Sequence, residues 1–206
     1  MAVMNINLYR MTHIDNIPHI IVNGITHATS SACNKSYVAI GDRSLISSRN
    51  EYLLSNGKEI GVYIPFYFFY RMPMLFVIQR GYKGVSKTTP EDIVYCLVKV
   101  NEVIAKNMEF VFTDGHAKSR LSTVYFKKDI DKIDQILDWD AIKRLSWVDE
   151  KDTDLKRRKE AEFLIEGDIP ADSICGYVVY NEDARQKLIA FGIDESKVVV
   201  RPSFYF

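Results

Sequence analysis

The stretch Lys156-Arg157-Arg158-Lys159-Glu160-Ala161-Glu162-Phe163-Leu164-Ile165 passes within a few residues from a basic run to an acid set in an apolar alternation. Read as an extended strand, its period of two puts Glu160, Glu162 and Leu164 on one face and Ala161, Phe163 and Ile165 on the other. A carboxylate on a rigid strand, flanked by apolar neighbours and preceded by a cationic loop, suits a site that stabilises a developing positive charge beside a polyanion. The competing reading is an amphipathic strand whose glutamate faces water, behind a solvated charge run.

Outward from this strand, the chain reads as short strands mixed irregularly with helices. Leu8 to Met11 has strand character and is followed by Thr12-His13-Ile14-Asp15-Asn16-Ile17-Pro18. There Asp15 or Asn16 can cap a helix that tolerates Pro18 in its first turn and stops at Gly24. Arg10, Thr12 and His13 therefore crowd a strand-to-helix junction. Residues 26–36 are rich in Ser, Thr and Asn and read as loop. The spacing of Leu45, Ile46, Tyr52 and Leu53 predicts a helix over 42–56, with Arg49 in its middle and Gly57 as the stop. The aromatic run Val62 to Tyr70 favours a strand, with Pro65 best accommodated at a strand end or edge. A short helix over 73–79, a strand over 93–100, a helix to Asn107, a strand over 110–112 and a turn at Asp114-Gly115 come next. Ile130, Ile133, Ile136 and Leu137 recur at helical spacing, and 146–153 reads as loop. A strand over 174–180, a helix over 182–191 and a strand over 197–201 follow the opening segment. This order lacks the regular alternation of a doubly wound sheet and defines an α+β class.

The 206 residues suffice for one sizeable core, and with no break in composition a single domain over 1–206 is expected. The charges balance, 27 basic against 27 acidic, so any contact with a nucleic acid has to be local. Cys33, Cys96 and Cys175 lie far apart without a CxxC pair, which argues against a disulfide framework and a zinc knot. Cys96 and Cys175 sit in apolar runs and read as small core residues. No run approaches the ~18 apolar residues of a membrane span, and Met1 to Asn7 lacks the features of a signal peptide, so a cytoplasmic protein with no membrane partner is expected. The absence of GxGxxG, GxxxxGKS/T and HExxH patterns removes the usual nucleotide-fold and zinc-hydrolase readings.

Five fragments in order carry a more specific signal. They are Tyr9 to Pro18; Ile64-Pro65-Phe66-Tyr67-Phe68 with Met72-Pro73-Met74-Leu75; Phe110-Val111-Phe112-Thr113-Asp114-Gly115-His116; Leu137-Asp138-Trp139; and Glu160-Ala161-Glu162-Phe163-Leu164. Together they resemble the DarT family, bacterial toxins that ADP-ribosylate DNA bases with NAD+. The resemblance runs from about Leu8 to the aromatic Ser203-Phe204-Tyr205-Phe206. It implies an ADP-ribosyltransferase fold, two small antiparallel sheets forming an NAD+ cleft with helices around them. It also implies NAD+ as co-substrate without a metal, single-stranded DNA as acceptor, a macrodomain antitoxin of the DarG type as partner, and action as a monomer.

The resemblance assigns roles residue by residue. Glu162 matches the catalytic glutamate, placed to hold the 2′-hydroxyl of the nicotinamide ribose and to stabilise the oxocarbenium-like state as nicotinamide leaves. Glu160 stands where the family motif usually carries Gln. Thr12 and His13 match a segment lining the nicotinamide side, and Arg10 stands where some members carry His and others Arg. Arg49 matches the pyrophosphate partner, a role that suits the planar fork of a guanidinium. Tyr67 matches the aromatic that stacks on the cationic nicotinamide ring. His116 and Lys156 match the DNA side of the cleft, the first for proton handling at the base, the second for lowering the cost of removing the base's N–H proton or for clamping the strand.

Each of these residues also has a structural reading. His13 and His116 could be ordinary surface histidines, Arg49 a helix-surface cation, Phe66 to Tyr70 a core strand, and Lys156 to Lys159 a solvated run, which is the reading kept for Arg157 and Arg158. The details are closer to thymine-modifying than to guanine-modifying members. Transfer to guanine, RNA or protein, and a nucleic-acid-binding module with a decayed site, are the alternatives. The joint presence of Glu162, Arg49 and Tyr67 counts against decay.

Overall fold

The computed structural model describes residues 6–41 and 51–206. Among them the strands are β1 (Asn7–His13), β2 (Tyr63–Tyr67), β3 (Ile93–Lys99), β4 (Phe110–Thr113), β5 (Val124–Phe126), β6 (Glu162–Glu166), β7 (Ile174–Val179) and β8 (Val198–Val200). The helices are α1 (Ile17–Asn23), α2 (Pro73–Arg80), α3 (Val100–Ala105), α4 (Ile133–Ile136), α5 (Trp139–Lys143), α6 (Leu155–Lys159) and α7 (Glu182–Ala190). The strands form one open sheet in the order β5-β4-β6-β2-β1-β3-β7-β8, antiparallel except for the parallel pair β7–β8.

The α+β class stands, and the two expected sheets are the two halves of this one. β1 pairs with β3 along its whole length, from Asn7↔Lys99 to His13↔Ile93, and β2 pairs with β6 from Tyr63↔Glu166 to Tyr67↔Glu162. Between β1 and β2, however, there is a single registered pair, Tyr9↔Tyr67. Pro65 explains how the split is tolerated. It lies inside β2, not at an edge, but its carbonyl points toward β1 and accepts the Arg10 Nη1 at 3.0 Å. Its missing N–H lies on that same side, so the proline costs β2 no ladder bond to β6. The halves therefore part beside Pro65, and a guanidinium bridges the parting.

Alternation along the strands sends Leu8, Ile64, Phe66, Val94, Cys96, Phe112, Phe163 and Ile165 into one large core, which α1, α3, α4, α5 and α7 cover through Ile17, Val103, Ile133, Ile142 and Leu188. The opposite face carries two smaller clusters. Over the β3 half, Leu75 and Ile78 of α2 pack with Ile93, Tyr95 and Tyr205. Over the β6 half, Leu54, Ile60 and Ala117 pack with Tyr63, Val111 and Leu164. The gap between these two clusters falls where the sheet is split.

Several expectations change in detail. The predicted helix over 42–56 lies largely outside the described residues, and its described end is a turn and a bridge, Leu53↔Glu59. β5 has no counterpart in the sequence reading because its three residues are too few for a pattern. Cys175 is exposed, its thiol donating to the Leu97 carbonyl at 3.4 Å, whereas Cys96 is buried as expected. Gly24 does more than end α1: its φ is +79°, and a Cβ there would lie 2.0 Å from the Ile169 carbonyl oxygen.

Candidate active site

Register places Tyr9, Tyr67 and Glu162 in one row across β1, β2 and β6, and cross-strand partners share a face. That face is the one between the two small clusters. Of the expected site residues, Tyr67 and Glu162 are thus brought side by side, while Tyr9 joins them from the other half.

Glu162 is fully buried, and its setting is made by the turn after β4. Its Oε1 accepts the Ala117 N–H at 2.9 Å, and its own N–H donates to Thr113 Oγ1 at 3.2 Å. Thr113 Oγ1 in turn donates to the Gly115 carbonyl at 2.6 Å, which curls the turn back toward β6. His116, the residue before the one that holds the carboxylate, donates its N–H to the Arg157 carbonyl at 3.0 Å. That bond fixes the backbone of His116 to α6 at Arg157, the residue that follows the exposed Lys156. Ala117 has no signal in the sequence, and Thr113 figures there only within the Phe110 to His116 fragment that ends in the Asp114-Gly115 turn.

Strand parity separates the β1 residues. His13 shares the face of Tyr9 and Met11, while Arg10 and Thr12 point to the face of their partners Cys96 and Val94. His13 Nδ1 accepts the Asp15 N–H at 3.2 Å. The Thr12 hydroxyl is buried and accepts the Asn16 Nδ2 at 2.9 Å. Arg10 reaches the split through its bond to Pro65. Asn16, read from the sequence as a cap, makes no side-chain cap bond; instead its fully buried amide pairs with both backbone groups of Val38, each at 2.8 Å. This ties the end of β1 to the segment that leads toward Arg49, a residue outside the described ones. Asn16→Ala strips Thr12 and Val38 of these partners together and is expected to cost about 2–3 kcal/mol in urea unfolding. A change below about 0.5 kcal/mol would mean that water replaces the amide freely.

The basic run is not a solvated loop. It is α6, and only Lys156 is exposed. Arg158 pairs with Asp138, Asp152 and Asp154, joining α6 to the start of α5. Lys159 is fully buried and donates to the carbonyls of Ile142 and Arg144, with the Phe69 ring 5.4 Å away. Burial pushes its ammonium down to about 8, with Glu160 opposing and Arg71 adding to the effect. Since the unfolded value is near 10.5, the unfolded chain holds more proton than the folded one between pH 8 and 10, and stability from this group rises with pH there. Relative to Lys159→Met, which lacks the group, the wild type is expected to gain roughly 2 kcal/mol over that window. Urea unfolding of both proteins at the two pH values measures it, and parallel profiles would rule out the low value.

A cavity of about 250 Å³ lies elsewhere, lined by Lys58, Tyr63, Phe110, Lys127 and Glu166. Glu166 is at the far end of β6, about 13 Å along the strand from Glu162, so this cavity is no part of the row. Among the described residues no group of His, Cys, Asp and Glu could hold a metal ion, and no helix is long and apolar enough to cross a membrane.

Comparison with known proteins identifies the family. The family model described as "ssDNA thymidine ADP-ribosyltransferase, DarT" matches residues 9–206. A DNA ADP-ribosyl transferase of Escherichia coli O127:H6 is 32% identical over 184 residues, covering 88% of this chain and 83% of its own. A DNA ADP-ribosyl transferase–DNA ADP-ribosyl glycohydrolase fusion protein of Thermosipho africanus is 31% identical over 206 residues, 97% of this chain and 49% of the fusion. Among solved structures, Thermus sp. 2.9 DarT in complex with ADP-ribosylated ssDNA superposes with a TM-score of 0.83 at 25% identity, covering 98% of this chain and 96% of that one. The same protein in complex with NAD+ gives a TM-score of 0.79 at 25% identity, covering 98% of each chain. With nearly its whole length matched, this chain belongs to the DarT family of single-stranded DNA thymidine ADP-ribosyltransferases.

Proposed function

We propose that this chain transfers ADP-ribose from NAD+ to a thymine base of single-stranded DNA, with Glu162 as the catalytic carboxylate. The observation that carries the reading is the row Tyr9–Tyr67–Glu162 beside the split in the sheet, with Glu162 buried and its carboxylate oriented by the Ala117 N–H. NAD+ lies in the cleft between the halves. Tyr67 offers its ring to the cationic nicotinamide, an attraction between a cation and an aromatic face. His13 lies on the β1 side of that face, Arg10 braces the split from behind through Pro65 while Thr12 anchors Asn16 on the core side, and Arg49 takes the pyrophosphate.

The bond that breaks is the one between the ribose anomeric carbon and the nicotinamide nitrogen, and its electron pair leaves with nicotinamide. Glu162 holds the ribose 2′-hydroxyl and faces the positive charge that develops on the sugar. Because the carboxylate is already fixed and out of water, it does not have to reorganise as that charge appears. The base then bonds to the anomeric carbon and loses its proton, with His116 taking the proton and Lys156 holding the charge or the neighbouring phosphate. A single strand suits a chain of balanced charge, because a cleft needs few phosphate contacts and the base edge is already open.

The test is to incubate the protein with NAD+ and oligonucleotides that differ only in whether they contain thymine, and to read adducts by mass spectrometry. An ADP-ribose adduct confined to thymine is expected; adducts on thymine-free strands, or none, would overturn the reading. The Thermosipho relative joins a transferase to a DNA ADP-ribosyl glycohydrolase. That supports a toxin role here, opposed by a macrodomain partner of the DarG type that removes the mark. The three free cysteines fit action in a reducing compartment.

A further inference from the structure

We propose that Arg157 is a positioning residue for the transfer step, acting through the turn that carries His116 and Ala117; this rests on the transferase reading above. The Arg157 guanidinium is half-buried and forks onto one carboxylate, with Nε to Asp154 Oδ1 at 2.7 Å and Nη2 to Asp154 Oδ2 at 2.8 Å. Its Nη1 crosses to the β4 turn and donates to Asp114 Oδ1 at 3.0 Å and to Ser122 Oγ at 3.2 Å. Its backbone carbonyl takes the His116 N–H at 3.0 Å. Asp114 Oδ1 also accepts the Thr123 N–H at 2.9 Å, so both ends of the 114–123 loop are gathered at one side chain.

Gly115 shows how tightly the loop is drawn onto the arginine. A Cβ at residue 115 would lie 2.4 Å from Arg157 Nη1, 2.8 Å from its Cγ and 2.8 Å from Ser122 Oγ. No left-handed φ is involved at this position, so the glycine is required by the close approach of the guanidinium rather than by the turn. The consequence for chemistry lies one and two residues on, at His116 and at the Ala117 N–H that holds Glu162 Oε1. Arg157 thereby sets the carboxylate and the acceptor-side histidine from the same loop without belonging to the Tyr9–Tyr67–Glu162 row.

A lysine at 157 keeps a positive charge but cannot fork onto Asp154 while reaching Asp114 and Ser122. Arg157→Lys is therefore expected to lower the rate of thymine modification about ten- to a hundredfold, the effect of a displacement near an ångström, with NAD+ affinity by calorimetry within about threefold of wild type. Asp114→Asn is expected to shift the rate in the same direction by a smaller factor, and it carries the test if the lysine variant does not fold. In a His116→Ala background the further loss from Arg157→Lys shrinks, because both changes act through one loop. Wild-type protein that modifies no thymine would overturn the transferase reading. Active wild type beside folded Arg157→Lys or Asp114→Asn proteins of unchanged rate would overturn the role of Arg157. So would equal losses of NAD+ affinity and rate, or full additivity with His116→Ala, since those mark general damage to the fold.

Discussion

Glu162→Gln is expected to fold as the wild type does and to lose on the order of a thousandfold in DNA ADP-ribosylation. The amide oxygen of Gln can still accept the Ala117 N–H, and the backbone bond to Thr113 Oγ1 does not involve the side chain. What disappears is the negative charge that meets the sugar as nicotinamide leaves. A thousandfold corresponds to about 4 kcal/mol of transition-state stabilisation, within reach of one fixed charge in a water-free site. The measurement is the initial rate of adduct formation on a thymine-containing strand, with calorimetry of NAD+ on the same preparation. A folded variant that transfers at more than about a tenth of the wild-type rate would show that the carboxylate is not the group that meets the charge.

How much of this was legible in the sequence depends on the range of the forces involved. The alternation around Glu162 reads directly, because one face of β6 enters the large core through Phe163 and Ile165 while the other carries Glu162 and Leu164. The strand begins at Glu162, and Glu160 lies in the turn before it, so only the second of the two acids belongs to the row. The class and the strand-to-helix junction at Thr12–Pro18 follow from local patterns in the same way. Long-range pairing does not. Asn16 looks like a helix cap, yet its amide is spent on Val38, 22 residues away. Arg157, Arg158 and Lys159 look like a solvated run because composition cannot reveal that Asp114, Asp138 and the carbonyls of Ile142 and Arg144 wait for them. Pro65 argues for an edge only if every strand beside it is assumed to pair; here the neighbour parts from it, and Arg10 bridges the parting.

The second large effect separates acceptor from donor chemistry. His116→Ala and Lys156→Ala are each expected to reduce thymine modification by about a hundredfold, the scale of one proton-transfer or charge-stabilising group, while NAD+ affinity changes little. The argument is positional. Tyr67 and Glu162 are consecutive partners in one row, whereas His116 is held to α6 by the Arg157 carbonyl, and Lys156 is the exposed residue beside that bond. A thymine ring N–H is weakly acidic, so bond formation at that nitrogen requires the proton to leave or the resulting anion to be held by a nearby cation. NAD+ needs neither. Rates and NAD+ affinities measured on the same preparations decide the point: equal losses in both would place the two residues in the NAD+ cleft, and wild-type rates in both variants would return them to a solvated surface.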